Sequence, residues 1–346
     1  MRTTRMISML LPVALLALSC EKPEPIEVDT LGQVCISIDL GADTKADNYT
    51  TEWNNEKTVH SVGYYIFDSQ GRLEAVWNAS SAAAVSGRVA SGTKTVWAVV
   101  NIPASRFSDV RTLSQFEAKE VSFADMSPSS FPMSGKKSVY VGTGNVTTSI
   151  PVERFVARLC VADITNGLGG AHANADVLLR SVYLSNVLGN ARVDGGTASS
   201  YLWYNKCARV SGGGSGALIQ DEQDSDLSDF LFYDLGYEYL EQGDSSEPYC
   251  CMYMFPNPIT TDVNGWANPF TPRLTRVVAA IEIDGECYYY PVNLKGIKRN
   301  NAYTLYLTIT HLGSKDPDTF DFVTDQDVVI TIGGFDDFDD DFVITY

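Results

Sequence analysis

The segment QVCISIDLGADTKADNYT, residues 33–50, has the pattern of a β-strand followed by that of an exposed loop. Apolar residues alternate with small or polar ones in its first half, which is the two-residue period of a strand with one buried face. The apolar positions are Val34, Ile36, Ile38 and Leu40. Gly41, Asp43 and Asn48 are typical of loops, and they surround a single basic residue, Lys45. A trypsin-like protease that cuts after Lys45 would separate this strand from the residues that follow.

The first 19 residues predict export from the cytoplasm. Arg2 and Arg5 precede a short apolar run that stops at Cys20, which is the pattern of a secretory signal and is too short to span a membrane. The residues LALSC, 16–20, are similar to a bacterial lipobox, so Cys20 is predicted to carry a lipid that anchors the chain to a membrane. An ordinary signal peptide with an unmodified cysteine is the alternative. Residues 21–25, EKPEP, are typical of an extended tether.

Composition limits the classes of function. The chain has 346 residues, of which 45% are hydrophobic, and this is enough for two globular domains. A formal net charge of −18 argues against nucleic acid and anionic lipid as partners, since both attract basic patches. Seven cysteines in an exported chain permit disulfides. Cys250 and Cys251 would point to opposite faces of a strand, which favours buried or separately paired thiols over a two-cysteine redox site.

Residues that catalysis or metal binding would need are scarce. The three histidines have no second histidine or cysteine at ligand spacing. No G-x-S-x-G motif occurs, and GDSS at 243–246 lies in an acidic loop with no nearby histidine, so a turn is favoured there. The acidic residues in 336–341 have the oxygen ligands that calcium prefers, but their spacing is not that of an EF-hand, and a solvated turn is favoured. We therefore predict no enzyme, no cofactor and no metal site.

Strand patterns continue along most of the chain. Apolar runs flank the turn DSQG at 68–71, and another pair flanks the DG at 284–285, a strong hairpin signal. Further strands are predicted in KTVWAVVNI, RFVARLCVADI and AYTLYLTITHL. One short helix is predicted within residues 108–118, capped by Ser108 or Asp109. Many short strands separated by turn residues predict an all-β fold, a β-sandwich that is repeated once.

The last twenty residues contain two more apolar runs, 328–332 and 342–346, on either side of a Gly-Gly break and the acidic residues. Phe342, Ile344 and Tyr346 would share one face of a strand. Such a strand is either paired within its own fold or available to another chain.

Five segments, in this order and spacing, resemble the fimbrillin family, the subunits of type V pili in Gram-negative anaerobes. They are the lipoprotein start at Cys20, VCISIDL followed by Lys45, YYIFDSQGRL with VWAVVN, FPMSG with RFVARLCVADI, and IKRNNAYTLYLTITHLGSKDPD. The resemblance covers most of the chain. It implies two transthyretin-like β-sandwich domains, with Greek-key connections and few short helices.

In that family, as the resemblance implies, a protease removes a placeholder strand, and the vacated groove accepts a strand of the next subunit. Here the placeholder would be 34–40 and the cleaved bond that between Lys45 and Ala46. The donor strand would lie within 327–346, with the donor residues Val328, Ile330, Ile332, Phe342, Ile344 and Tyr346. Family members often have Arg at the cut, so Lys45 suits a trypsin-like protease rather than a strictly Arg-specific one.

The resemblance predicts a structural pilin, a stalk subunit that supports cell adhesion, with other copies of itself and related pilus subunits as partners. It would first be an outer-membrane lipoprotein precursor and then part of an extracellular fimbrium. The predicted parts are a signal peptide 1–19, a lipidated leader with the placeholder strand 20–45, an N-terminal sandwich 46–152, a C-terminal sandwich 153–326 and a donor appendage 327–346.

Two kinds of alternative stay open. The first is a tip or anchor subunit of the same family. The second is a monomeric surface lipoprotein that binds carbohydrate through exposed aromatic side chains. The tryptophans that such a site would use are Trp53, Trp77, Trp97, Trp203 and Trp266. Of these, Trp97 and Trp203 are expected in the core.

Overall fold

The computed structural model describes residues 31–41, 56–127, 129–196, 198, 203–208, 217–219, 228–248, 250–262, 273–317, 328–334 and 342–345. Only the backbone is described for residues 124, 206–208, 217–219, 228–229, 328–334 and 342–345.

The elements of the first half are β1 (Leu31–Asp39), β2 (Val62–Phe67), β3 (Leu73–Ala79), β4 (Val85–Ala90), β5 (Gly92–Val100), α1 (Leu113–Glu117), β6 (Glu120–Ser122), β7 (Met133–Val141), β8 (Asn145–Pro151) and β9 (Glu153–Arg154). Those of the second half are β10 (Ala157–Asn166), β11 (Val177–Ser185), β12 (Val187–Leu188), β13 (Asn190–Arg192), β14 (Trp203–Tyr204), β15 (Lys206–Ala208), β16 (Ala217–Ile219), α2 (Ser228–Leu231), β17 (Phe232–Tyr239), β18 (Ser245–Ser246), β19 (Cys250–Met254), β20 (Thr275–Ile283), β21 (Glu286–Leu294), β22 (Asn301–Ile309), β23 (Val328–Gly334) and β24 (Phe342–Thr345). Single 3₁₀ turns cover Ala104–Phe107, Phe123–Asp125 and Gly170–His172.

The two halves repeat one sandwich topology strand by strand. In the first half, a sheet of order β4-β1-β8 faces a sheet of order β3-β2-β5-β7-β9. In the second half, β19-β10-β22 corresponds to β4-β1-β8, and β17-β11-β20-β21 corresponds to β3-β2-β5-β7. The directions also match, because β1 is antiparallel to β4 and parallel to β8, just as β10 is antiparallel to β19 and parallel to β22. The predicted all-β fold of two repeated sandwiches with few short helices is confirmed.

The two predicted turns, at 68–71 and at 284–285, are also confirmed. The chain turns at 68–71, where the N–H of Gly71 donates to the carbonyl of Asp68 at 2.9 Å. Asp284 and Gly285 both have positive φ, 50° and 81°, which is the conformation of the tight turn that joins β20 to β21. Within this two-residue turn glycine has no steric cost at positive φ.

The predicted helix is present but shorter, and its predicted cap is wrong. α1 begins at Leu113 and is capped by Thr112 rather than by Ser108 or Asp109. The Thr112 hydroxyl accepts from the N–H of Gln115, and the Gln115 side chain accepts from the N–H of Thr112 at 3.2 Å. This reciprocal pair is a capping box, and it satisfies backbone donors that an earlier start would have left unpaired.

Two apolar cores hold the sandwiches together. The core of the first sandwich lies between its two sheets and includes Val34 and Ile36 of β1. β2 and β5 are also buried on their other face, where Tyr65 and Trp97 pack against Phe116 of α1. That second core continues into the interior of the C-terminal sandwich, so the two sandwiches share apolar contacts.

A disulfide joins Cys160 of β10 to Cys251 of β19. Its neighbour Cys250 is buried, and burial raises the pKa of that thiol to about 12. The two adjacent cysteines therefore have separate environments, as predicted. Within the described residues, no helix is both long and apolar enough to cross a membrane.

Candidate functional site

The first strand lies in the middle of a sheet rather than at its edge. β1 pairs with β4 from Leu31 to Ile36 and with β8 from Gln33 to Asp39. Among the described strands, β4 and β8 have no other ladder partner. Loss of β1 would therefore leave an open slot, bordered by unpaired N–H and C=O groups on both sides.

The burial of β1 follows the alternation that its sequence predicts. Val34 and Ile36 are 2% and 0% exposed, and Ile38 and Leu40 are half-buried against the same core. The strand is three residues longer at its start than 34–40 and ends at Asp39, so Leu40 lies just beyond it. There the Asp39 carbonyl accepts from the N–H of Val152 at 2.9 Å, which holds the end of β1 to the residue that follows β8.

The strand that pairs with β1 carries a glycine against which a tryptophan ring packs. Val34 lies opposite Gly87 of β4. A Cβ at Gly87 would lie 2.3 Å from the indole ring of Trp77, so glycine is required for the ring to lie against this strand.

Comparison with solved structures shows one recurrent fold. A proposed cell adhesion protein of Parabacteroides distasonis aligns with a TM-score of 0.60 at 13% identity, over 88% of this chain and 98% of that one. A fimbrilin of Porphyromonas gingivalis aligns with a TM-score of 0.54 at 14% identity, over 82% and 92%. The tip fimbrial protein Mfa3 of the same organism aligns with a TM-score of 0.53 at 14% identity, over 88% and 99%. No protein-family model and no curated protein sequence matches the chain.

The chain has the fimbrillin fold. These three structures are fimbrial and adhesion proteins rather than enzymes. At these identities the likeness establishes the fold, and the predicted resemblance is confirmed at that level.

The fimbrillin fold ends here in a hairpin that extends the second sandwich. β23 pairs antiparallel with β22, so that Ile330 lies opposite Leu305. β24 pairs antiparallel with β23, so that Ile344 lies opposite Ile330 and Phe342 opposite Ile332. The predicted donor positions Val328, Ile330, Ile332, Phe342 and Ile344 thus all lie in strands paired within their own chain.

Several predicted site residues lie outside the described residues. These are Cys20, Lys45, Ala46 and Tyr346, together with the acidic residues 336–341 and the tryptophans Trp53 and Trp266.

Within the described part of the chain, no group of three His, Cys, Asp or Glu side chains could hold a metal ion. Trp97 and Trp203 are buried, at 3% and 2% exposure, so neither offers an exposed ring to a sugar. Trp77 is half-buried against the core of the first sandwich.

A buried ionic cluster around Glu56, which the sequence analysis missed, anchors the segment that precedes β2. The Glu56 carboxylate, 5% exposed, accepts from the Arg158 guanidinium at 3.1 and 3.2 Å and from the Tyr253 hydroxyl at 2.6 Å. Burial, together with the Glu56 charge, raises the pKa of Tyr253. Glu56 thereby ties the segment that precedes β2 to β10 and β19 of the second sandwich. The partners lie about one hundred and two hundred residues away, so no local pattern signals them.

Proposed function

We propose that this chain is a pilus-related adhesion subunit of the cell surface, which polymerises when β1 is exchanged for a strand of a second copy. The observation that carries the proposal is the position of β1. It fills the middle of a sheet, and the sequence that follows it contains a basic residue, Lys45, at which a trypsin-like protease could cut. A fimbrilin and a tip fimbrial protein among the structures with this fold support the pilus-related role.

Removal of β1 would expose unpaired backbone groups and apolar side chains that another strand would cover. The ladder groups of β4 and β8 would lose their partners, and the apolar core beneath Val34 and Ile36 would open to water. An added strand restores the main-chain hydrogen bonds, while alternate side chains fill the apolar positions. A second copy is the partner that this slot fits best, since every copy carries two terminal strands of suitable pattern.

The free energy of burying β1 determines whether this strand leaves its sheet after cleavage. Two fully buried and two half-buried aliphatic side chains contribute roughly 5–9 kcal/mol before ordering costs. A cut strand would therefore stay in place unless a competitor replaced it. In the precursor the connection after β1 gives that strand a high effective concentration in its own slot, and cleavage after Lys45 removes this advantage. Assembly would thus begin only after processing.

The predicted parts of the chain take these roles. The leader 20–45 holds the slot closed until cleavage, with a lipid on Cys20 as its outer-membrane anchor. The sandwiches 46–152 and 153–326 form the body of the subunit. The appendage 327–346 leaves the edge of its own second sandwich and enters the slot of the next copy.

The test is limited proteolysis of the purified precursor with a Lys/Arg-specific protease, followed by intact mass and a denaturing gel without heating. We expect a product that begins at Ala46 and a ladder of heat-labile oligomers. Lys45→Ala should abolish both. Lys22→Ala is the matched control, because a cut at Lys22 leaves β1 attached, and this variant should polymerise as the unmodified chain does. Polymers from the treated Lys45→Ala precursor would refute the mechanism.

The other outcomes distinguish the alternatives. A chain that is cut but stays monomeric would be a tip or accessory subunit, since its own tail donates nothing. A chain that resists cleavage near Lys45 would be an anchor subunit or a monomeric carbohydrate-binding lipoprotein.

A further inference from the structure

A cavity of about 570 Å³ lies where the chain passes from the first sandwich to the second. It is lined by residues of β9 and of the connection to β10, and by residues within 188–196, 256–258 and 296–301. Lys298 is exposed, so the cavity opens to solvent beside it. Its volume falls within the range of about 300–1,000 Å³ that is typical of small-molecule sites. None of the described residues that line it belongs to β1, the strand that the proposed cleavage releases.

The cavity is basic, although the chain has a formal net charge of −18. The described residues that line it include a single acid, Glu153, and three cations, Arg192, Lys298 and Arg299. Arg192 donates to the carboxylate of Asp194 at 2.6 and 3.0 Å. Arg299 lies 3.5 Å from the Glu153 carboxylate, whereas the Lys298 ammonium has no ion pair or hydrogen bond with any described residue. One positive charge is therefore left without a counter-charge, which suits a monoanion such as a carboxylate.

Arg299 is fixed in the wall of the cavity by groups that do not cancel its charge. Its guanidinium carbon lies 4.7 Å from the centre of the Phe155 ring. It donates to the backbone carbonyls of Ser134 and Glu153 at 3.1 and 2.5 Å. These carbonyls satisfy its N–H groups and carry no net charge. A cation that is already held in place loses little conformational entropy when an anion binds beside it.

The remaining lining combines apolar surface with two side-chain amides. The Asn301 amide has no hydrogen-bond partner in the described part of the chain. The Asn190 amide nitrogen donates to Glu120 at 3.3 Å, which leaves the amide oxygen to accept a bond from a ligand. Because a sugar ring has apolar C–H faces and hydroxyl edges, it matches this lining better than an inorganic anion does. The apolar walls include Leu188, Pro256, Pro258 and Ile297.

We propose that this cavity binds an acidic sugar, a monosaccharide unit that carries one carboxylate. The carboxylate is bound by Lys298 beside the fixed charge of Arg299, and the hydroxyl groups pair with the amides of Asn190 and Asn301. This site goes beyond the proposed function, because it gives an adhesion subunit a class of ligand. It does not depend on cleavage or on strand exchange.

The test is isothermal titration calorimetry on the uncut precursor with three small ligands. Methyl glucuronide has both the carboxylate and the hydroxyls, methyl glucoside lacks the carboxylate, and cyclohexanecarboxylate lacks the hydroxyls. We expect methyl glucuronide to bind at least about fivefold more tightly than either of the others, since each of them loses one set of polar contacts. Its affinity should fall as salt is added, because salt screens the charge of Lys298.

Two variants separate the contributions of charge and amide. Lys298→Ala should weaken methyl glucuronide and cyclohexanecarboxylate by about tenfold, because both lose a charged partner. Asn301→Ala should weaken methyl glucuronide alone, because cyclohexanecarboxylate has no hydroxyl for the amide to contact. Lys295→Ala is the matched control, since it removes an exposed lysine of the same segment that does not line the cavity. Its affinities should equal those of the unmodified chain.

The remaining results overturn the proposal in distinguishable ways. Equal affinity for methyl glucoside shows that the charge is not used, and equal affinity for cyclohexanecarboxylate shows an anion site with no preference for sugars. Absence of methyl glucuronide binding, or binding that Lys298→Ala leaves unchanged, refutes the site itself. A precursor that polymerises after cleavage but binds no methyl glucuronide refutes this cavity alone, whereas one that binds it but never polymerises refutes strand exchange alone.

Discussion

Removal of the Cys160–Cys251 disulfide should weaken one sandwich and leave the slot of the other unchanged. The substitution is Cys160→Ser with Cys251→Ser. Both cysteines are partly exposed on their strands, so serine leaves no buried polar group without water. The disulfide ties β10, the counterpart of β1, to its antiparallel neighbour β19.

The size of the effect follows from the loop that the disulfide closes. The two cysteines are separated by 91 residues. The chain-entropy relation gives about 4–5 kcal/mol for a loop of this length, and measured losses for native disulfides are typically about 2–5 kcal/mol. The free energy of unfolding should therefore fall by an amount in that range. Cys287→Ser, which removes a free thiol, is the matched control and should change it by less than about 0.5 kcal/mol.

Equilibrium urea unfolding measures the total effect, and hydrogen exchange of the uncut chain locates it. Amides of Ala157–Asn166 should exchange faster in the double variant, while those of Leu31–Asp39 should exchange as before. A loss in unfolding free energy below about 1 kcal/mol would refute the entropic argument. If the amides of β1 and β10 exchanged faster by the same factor, the view that the disulfide acts on the second sandwich would be refuted.

Three further predictions follow from individual contacts. Ile36→Ala should lower the unfolding free energy of the precursor by about 2–5 kcal/mol in urea titrations, because Ile36 is fully buried; the heat resistance of finished polymers should not change, since the altered strand has left. Glu56→Gln should cost about 3–5 kcal/mol in the same assay, because the buried Arg158 loses its carboxylate; a change below about 1 kcal/mol would contradict that role. Burial raises the pKa values of Tyr64 and Cys250 to about 12, from 10.0 and 9.0. Their contribution to stability is therefore complete below pH 9 and is lost as the pH rises towards 12, so urea midpoints should fall between pH 8.5 and pH 11, and equal midpoints would refute the assignment.

Local patterns in the sequence were enough to predict several of the strands and two of the turns. The alternation in 33–40 predicts β1 because half-buried strands have a period of two, and the pair Asp284 and Gly285 predicts its hairpin because both residues tolerate positive φ. The cap of α1 could also have been predicted. Thr112 and Gln115 have the spacing of a capping box, a signal that the apolar pattern of the helix concealed.

Pairings between distant segments could not be predicted in the same way. The partner of Cys160 depends on the register between β10 and β19, which the sequence does not specify locally. The contacts of Glu56 with Arg158 and Tyr253 depend on how the two sandwiches pack. The pairing of the tail with β22 could not be predicted either. The alternation in 328–332 fits any apolar strand edge, so it does not specify β22 as the partner.

The repeated topology explains why a single cut would open only one of two equivalent slots. β1 is held in its sheet by pairing and burial, and in the proposed mechanism one cut after it releases it from the sandwich. β10 occupies the same place in the second sandwich, but β9 precedes it and β11 follows it, so its release would need two cuts. The connection 167–176 contains no Lys or Arg, and the disulfide would keep β10 attached even after cleavage. The proposed mechanism therefore releases this strand position in the first sandwich and keeps it fixed in the second, which is what a subunit needs if it is to accept one strand and keep its own tail joined to a stable body.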